Sequence, residues 1–179
     1  DVHALCDYLA YGMIPSPRSI FTHIEKLPPG CTVVIGPESL NGRPVRYWDL
    51  VVSPVAGKTA EEWKEAVRAK VRETVLAHQI ADVPVGAFLS GGIDSSVLVA
   101  EQAKVSAGAV QTFSIGFREG WFNELPYARQ VARQFGTAHI EEVLTPDATG
   151  TIEQLVYYYD EPFADSSALP TLWLSRVAE

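Results

Sequence analysis

The apolar residues in the second half of the chain fall into short blocks separated by helical patterns. Pro84–Leu89 is a continuous apolar block of strand length, which is typical of a strand buried on both faces. Further strands are predicted at Ala109–Phe117 and His139–Leu144, and a helical pattern follows each strand. This alternation predicts an α/β fold with a parallel sheet, right-handed crossovers and helices on both faces of the sheet.

The helices are predicted from caps and from apolar residues at helical spacing. A capping box of Thr59 and Glu62 starts the first helix, which we expect to end near Gln79. Its core-facing stripe is predicted to be Trp63, Val67, Val71 and Val75. The second helix is expected from Asp94 to about Lys104.

Three later helices follow the same logic. Pro126 suits a first turn, and Gly136 suits a helix end. The residues expected on the inner face between them are Tyr127, Val131 and Phe135. A helix containing Ile152, Leu155, Val156 and Tyr159 is expected to stop at Pro162, and a last helix to begin near Ser166 or Ser167.

Residues 1–57 contain Pro-rich and Gly-rich stretches and are predicted to form a small segment, a helix and a hairpin, that precedes the main domain. A helix is expected over Val2–Tyr11, followed by a hairpin with strands at Thr32–Ile35 and Pro44–Leu50. The Asn41–Arg43 stretch is the turn signal between these strands. The main domain then covers residues 58–179, and both ends of the sequence suggest a fragment of a longer chain.

Composition narrows the class of protein. Hydrophobic residues make up 47% of 179 residues, which is enough for a sizeable core, and the formal net charge is −8. Because Lys and Arg form no basic stripe, we expect no nucleic-acid partner. Cys6 and Cys31 lack metal-site spacing, and no apolar run reaches eighteen residues. We therefore expect a cytoplasmic protein without a membrane segment.

The segment Ser90–Ser96, called here the Ser90–Ser96 loop, joins the first buried strand to its helix. Gly91 and Gly92 allow backbone N–H groups to approach a ligand, and the helix start adds unpaired amides and partial positive charge. The serine hydroxyls add further donors, so the pattern predicts an anion site of phosphate size. Asp94 then has two readings: it binds Mg²⁺ between phosphates, or it is only the helix N-cap.

Two other phosphate motifs are excluded. Gly57–Thr59 reads GKT, but Val52 stands where the first glycine of a Walker A motif belongs. No G-x-G-x-x-G is present, so a Rossmann dinucleotide site is unsupported.

The residues SGGIDS at Ser90–Ser95 resemble the S-G-G-x-D-S loop of ATP pyrophosphatases, which cleave ATP between its α- and β-phosphates. The segments TFSIGF, NELPYARQVARQFGTAH and DEPFADSSALPTLWLSR resemble the synthetase domain of glutamine-dependent asparagine synthetases. The leading YLAYGMIPSPRSIFTHIEKLPPG and RYWDL resemble the connector that precedes that domain. The fold implied is like that of the adenine nucleotide alpha hydrolases.

The resemblance implies a reaction and a set of site residues. The side-chain carboxylate of aspartate attacks the α-phosphate of ATP, pyrophosphate leaves, and ammonia then displaces AMP. The residues implied at the pyrophosphate are Ser90, Gly91, Gly92, Ser95 and Ser96. Asp94 is implied to hold Mg²⁺, and Leu89 and Ile115 to flank adenine. The segment Asp160–Ser167 either approaches the acyl substrate or is only a helix stop followed by a cap.

The resemblance also implies partners. The ammonia comes from a glutaminase domain of the same longer chain, and aspartate or a similar carboxylate is the acceptor. Neither cysteine is terminal, and a second metal and adenine loop is expected beyond residue 179, so we expect this segment alone to be inactive. A β-lactam-forming or other amide-forming relative, a non-catalytic ATP-binding module and a purely structural domain remain alternatives. The oligomeric state stays open, with a homodimer among the options.

Overall fold

Helices and short strands alternate along the parts of the chain that the computed structural model describes: residues 1–37, 42–118, 120–144 and 148–179. The helices are α1 (Val2–Tyr11), α2 (Ala60–Ala77), α3 (Ile93–Val105), α4 (Leu125–Phe135), α5 (Ala148–Tyr159) and α6 (Ala168–Val177). The strands are β1 (Cys31–Thr32), β2 (Val45–Arg46), β3 (Gly86–Phe88), β4 (Gln111–Phe117) and β5 (Ala138–Leu144). One compact unit comprises Asp1–Val55 and Thr149–Ala168, and a second comprises Ala56–Ala148 and Leu169–Glu179.

The first unit begins with a well-capped helix. The Asp1 carboxylate accepts hydrogen bonds from the amides of His3 and Ala4, at 2.8 and 3.1 Å, and α1 ends at Gly12 with φ 73°. The predicted bounds of this helix are confirmed.

A small hairpin follows α1, and β1 pairs antiparallel with β2 so that Cys31 lies opposite Arg46. Each strand is two residues long, which is shorter than predicted. The predicted turn begins at Asn41, which lies outside the described residues. The role of residues 1–57 as a connector remains a prediction.

Ion pairing ties the N-terminal segment to the segment after α5 within this first unit. The Glu161 carboxylate accepts a hydrogen bond from the Ile20 amide at 2.8 Å and lies 2.6 Å from the Lys26 ammonium. Lys26 also donates to the carbonyl of Ile14 at 2.8 Å. One half-buried carboxylate–ammonium pair therefore links two backbone segments.

The second unit contains a parallel sheet in the order β3-β4-β5, with Phe88 beside Phe113 and Phe113 beside Ile140. Helix α3 packs on β3, and α4 packs on β4 and β5. The predicted α/β class, with a parallel sheet flanked by helices, is confirmed and is consistent with the adenine nucleotide alpha hydrolase-like fold. Leu89, Val99, Ala128 and Ala132 form the core cluster between sheet and helices.

Some predicted faces are wrong. Phe88 is 47% exposed, so β3 is not buried on both faces, because no described element fully covers the face that carries Phe88. Of the inner face predicted for α4, Tyr127 is 62% exposed, whereas Val131 packs against the core cluster as predicted. The buried residues of α4 are Leu125, Ala128 and Ala132.

Helix α2 keeps its predicted capping box but buries only the end of its predicted stripe. Val75 is buried, whereas Trp63 and Val67 are exposed. The contact with α3 is made near the end of α2, where Arg72 lies 3.0 Å from Glu101. The Lys58 ammonium lies 4.7 Å from the centroid of the Trp63 ring. Lys58 thus covers part of the exposed stripe.

None of the described helices has both the length and the apolar character needed to span a bilayer.

Candidate functional site

The Ser90–Ser96 loop starts from a fixed point at the carboxyl end of the parallel sheet. The Leu89 amide donates to the carbonyl of Phe113 at 2.8 Å. The buried hydroxyl of Ser114 donates a short hydrogen bond to the carbonyl of Leu89. Both backbone groups of Leu89 are therefore held by β4, and the direction in which the loop leaves the sheet is set.

Gly91 turns the loop at a position where no other residue fits. Its φ is 81°, a left-handed conformation that side chains with a Cβ rarely adopt. A Cβ built there lies 2.5 Å from the backbone nitrogen of Ala128 and 2.6 Å from the Cβ of Tyr127. The first turn of α4 is thus the wall behind the loop.

Gly92 is the N-cap of α3, with φ −68° and ψ 166°, and it has no side chain with which to cap the helix. The amides of Ile93, Asp94 and Ser95 have no acceptor among the residues described. The Ser96 amide makes the first bond of the helix, to the carbonyl of Gly92 at 3.0 Å. Three donors and the positive end of the helix dipole therefore face the end of the sheet, which suits an anion.

The hydroxyls of Ser90 and Ser95 form a closed hydrogen-bond circuit within the loop. The Gly92 amide donates to Ser90 Oγ at 3.2 Å, and Ser95 Oγ donates to the Gly92 carbonyl at 3.2 Å. The two hydroxyl oxygens lie 2.9 Å apart, and either hydroxyl can be the donor in this contact.

The hydroxyls of Ser90 and Ser95 thus lie in hydrogen-bond contacts within the loop, which hold the shape of the turn. Their contact with pyrophosphate stays a prediction. The Ser96 side chain is half-buried, and its predicted contact with pyrophosphate stays a prediction.

Asp94 lies in the first turn of α3 and is exposed. The reading of Asp94 as the N-cap is wrong, because Gly92 occupies that position and no side chain caps the helix. Its carboxylate oxygens are the ligand type that Mg²⁺ prefers. No group of three or more His, Cys, Asp or Glu suited to a metal occurs in the described ranges, so a metal here depends on Asp94 together with oxygens of the ligand.

The two residues expected beside adenine differ in accessibility. The Leu89 side chain is 2% exposed and belongs to the core cluster, so its burial does not favour a side-chain contact with a ligand. Ile115 lies near the carboxyl end of β4 and is half-buried. Its place beside a base remains a prediction.

Sequence reasoning did not identify two supports of the loop. Ser114 lies in TFSIGF, but only its position beside β3 reveals its bond to Leu89. The wall formed by Tyr127 and Ala128 was also missed. The small residues Ala128 and Ala132, one turn apart, are the signal in the sequence that the backbone of α4 packs closely.

Residues 66–179 match the family model described as asparagine synthase. The chain therefore belongs to the asparagine synthase family.

Curated relatives align along nearly all of the chain. "Asparagine synthetase (glutamine-hydrolyzing) 1" of Bacillus subtilis is 33% identical over 180 residues, covering 100% of this chain and 28% of the relative. "Putative asparagine synthetase (glutamine-hydrolyzing) 2" of Methanocaldococcus jannaschii is 37% identical over 180 residues, covering 96% of this chain and 33% of the relative. The chain thus spans about a third or less of the length of these relatives.

Proposed function

We propose that this chain is the nucleotide-binding part of an ATP-dependent, AMP-forming amide synthetase that makes asparagine. In the first step, an oxygen of the aspartate side-chain carboxylate bonds to the α-phosphorus of ATP. The bond from that phosphorus to the bridging oxygen breaks, and pyrophosphate leaves. In the second step, ammonia attacks the acyl carbon, AMP departs, and a proton is lost from nitrogen.

The observation that carries the proposal is the open start of α3 behind the two-glycine turn. Pyrophosphate accumulates negative charge as it leaves, and fixed N–H donors stabilise that charge without reorganising. The amides of Ile93, Asp94 and Ser95 are such donors, and no described residue accepts from them. Membership of the asparagine synthase family supports the same assignment.

The side chains have distinct parts in this proposal. Gly91 and Gly92 let phosphate oxygens reach the amides, and the Ser90–Ser95 circuit keeps the turn in shape. Asp94 holds Mg²⁺, which neutralises charge on the phosphates when it is bound. Ile115, with the backbone beside Leu89, borders the base. Ser96 supports the phosphate end.

The ammonia source and the acceptor rest on the relatives alone. Relatives named as glutamine-hydrolyzing asparagine synthetases support a glutaminase domain in the same longer polypeptide. Aspartate is the acceptor that matches those names, and Asp160–Ser167 is the segment proposed to approach it.

The test is aspartate-dependent exchange of labelled pyrophosphate into ATP by the complete, longer polypeptide that contains this chain. We expect Asp94→Ala to reduce the exchange rate by about 100-fold or more, since metal-assisted charge neutralisation contributes several kcal/mol. Glu65→Gln is the matched control, because Glu65 is an exposed carboxylate on α2. An exchange rate that does not depend on aspartate contradicts the proposal, and so does an unchanged exchange rate in Asp94→Ala. ATP binding without any exchange assigns the chain to the non-catalytic modules instead.

A further inference from the structure

A second polar cluster lies on the face of the sheet that α4 covers. We call it the Arg129 cluster, and it consists of Arg129, Glu141, His139, Thr112 and Thr137. The Arg129 guanidinium donates from Nε to both oxygens of Glu141, at 2.8 and 2.9 Å, and its Nη2 lies 2.7 Å from Oε2. This fork joins α4 to β5 with a geometry that a lysine cannot reproduce.

The cluster continues inward to the central strand. Glu141 Oε1 lies 3.2 Å from His139 Nε2, and His139 Nδ1 lies 2.9 Å from the hydroxyl of Thr112. Thr112 is fully buried and lies 2.7 Å from the hydroxyl of Thr137. A connected path of polar contacts therefore runs from α4 through β5 to β4.

His139 lies in the middle of this path, between Glu141 and Thr112. Its Nε2 atom is buried, and the Glu141 carboxylate 3.2 Å away is the polar group that faces it. The position of the Glu141 carboxylate is therefore set from one side by Arg129 and from the other by His139.

The outer end of the cluster lies next to the wall behind the Ser90–Ser96 loop. Arg129 directly follows Ala128 in α4, and Tyr127 and Ala128 are the residues that contact Gly91. Because a Cβ at Gly91 lies only 2.5 Å from Ala128, the clearance between loop and helix is already minimal. A small shift of the first turn of α4 along the sheet must move this wall.

We propose that Arg129 is a positioning residue: its fork to Glu141 locks the first turn of α4 against the sheet and so holds the Ser90–Ser96 loop in its anion-binding shape. This inference rests on the proposed function, because the loop is taken to bind the β- and γ-phosphates. Arg129 touches no substrate in this role. Its effect passes from the fork to Tyr127 and Ala128, and from them to Gly91.

The test uses the complete, longer polypeptide that contains this chain. Calorimetric titration compares its affinity for ATP with its affinity for AMP, both in the presence of Mg²⁺. AMP keeps the base and the α-phosphate but lacks the groups assigned to the loop. We expect Arg129→Gln and Arg129→Lys to weaken the affinity for ATP by about tenfold and to change the affinity for AMP by less than about twofold. A tenfold change lies in the range measured for coupling through packed networks of side chains. Arg133→Gln, an exposed arginine one turn later in α4, is the control and leaves both affinities unchanged.

A purely structural role predicts a different pattern. The positioning role is overturned if the variants lose affinity for ATP and AMP equally, or if Arg129→Lys keeps both affinities. Glu141→Gln removes the partner charge from the other side and should reproduce the ATP-specific loss. Thermal unfolding of each variant identifies any that do not fold, and Arg129→Lys keeps the charge if Arg129→Gln fails to fold.

The outcomes for the wild type separate this inference from the proposed function. If the wild type binds ATP no more tightly than AMP, the assignment of the loop to the terminal phosphates fails. If the wild type prefers ATP and the Arg129 variants keep that preference, only the positioning role fails.

Discussion

The starts of α2 and α3 lie in the same compact unit but satisfy their backbone amides in opposite ways. At α2, Thr59 Oγ1 accepts from the Glu62 amide at 3.3 Å, and Glu62 accepts from the Thr59 amide at 2.7 Å. At α3, Gly92 offers no side chain, and three amides stay open within the described structure. The comparison shows that side chains cap the first turn of α2, whereas no side chain caps the first turn of α3 at the end of the sheet.

The electrostatics of the two starts also differ. The pKa of the Glu62 carboxyl lies below its ordinary value, chiefly because the Thr59 amide donates to it and secondly because the Thr59 hydroxyl does. That carboxylate offsets the dipole of α2 from within the chain. Asp94, the acidic residue in the first turn of α3, is exposed and is tied to no described backbone amide. The first turn of α3 therefore lacks the side-chain carboxylate cap that α2 has.

The largest expected effect is from Gly91→Ala, which breaks the open start by sterics. The new Cβ meets the backbone of Ala128 and also imposes strain at φ 81°, so we expect a loss of at least about 3 kcal/mol of stability and no measurable ATP binding. Chemical denaturation and calorimetry measure the two losses.

Gly57→Ala is the control for Gly91→Ala. Gly57 has φ 86° but no atom within 4 Å of a built Cβ, so only the conformational cost of about 1–2 kcal/mol applies. Equal losses of stability in the two variants would show that the wall of α4 does not constrain the loop.

A smaller effect is expected from opening the serine circuit. Ser95→Ala removes the hydrogen bond to the Gly92 carbonyl and the contact with the Ser90 hydroxyl, at a cost of about 1 kcal/mol. We expect ATP affinity to fall a few-fold because the turn loses its preorganised shape. Ser175→Ala in α6, which also removes a hydroxyl bonded to a backbone carbonyl, should leave ATP affinity unchanged. Tighter ATP binding by Ser95→Ala would mean that the circuit opposes the ligand.

At the closed start, Thr59→Ala should cost about 1 kcal/mol of stability, since it removes an N-cap. It should leave ATP affinity unchanged, because α2 has no assigned contact with the nucleotide. Denaturation with parallel ATP titration measures both. A drop in ATP affinity would show that the two helix starts are coupled.

The smallest expected effect is on acid stability. The pKa of the Glu141 carboxyl is lowered, chiefly by the hydrogen bonds that Arg129 donates. A lowered folded-state pKa stabilises the protein above the unfolded value of about 4.3, and this stabilisation is lost as the pH falls through the folded value. Arg129→Gln should therefore flatten the decline of stability below about pH 4.3. A decline identical to that of the wild type would show that the pair is not coupled to folding.

Local signals in the sequence predicted where the helices begin and end. The residues that each helix or strand buries depend on packing and were predicted less well. The capping box at Thr59, Pro126 at the start of α4 and Gly136 at its end are encoded within a few residues, so those helices were located correctly. The exposed fractions of Phe88 and Tyr127 depend on which elements pack against them, which no local pattern contains.

The same division applies to the site. The two-glycine turn before a helix start is visible in the sequence, so the structural basis of the proposed anion site was accessible from the sequence. The closed circuit of Ser90 and Ser95 was not, because it depends on hydroxyl directions within one turn. The fork from Arg129 to Glu141 joins residues on different elements and needed the fold.

The most direct measurement is a titration of the full ¹⁵N-labelled chain with ATP and Mg²⁺, followed through individual amide resonances. We predict large, saturable shifts for the amides of Ile93, Asp94 and Ser95, and none for the amides of Glu61 and Glu62 at the start of α2. Saturation without any shift at the start of α3 would contradict the claim that this open helix start binds the phosphates of ATP.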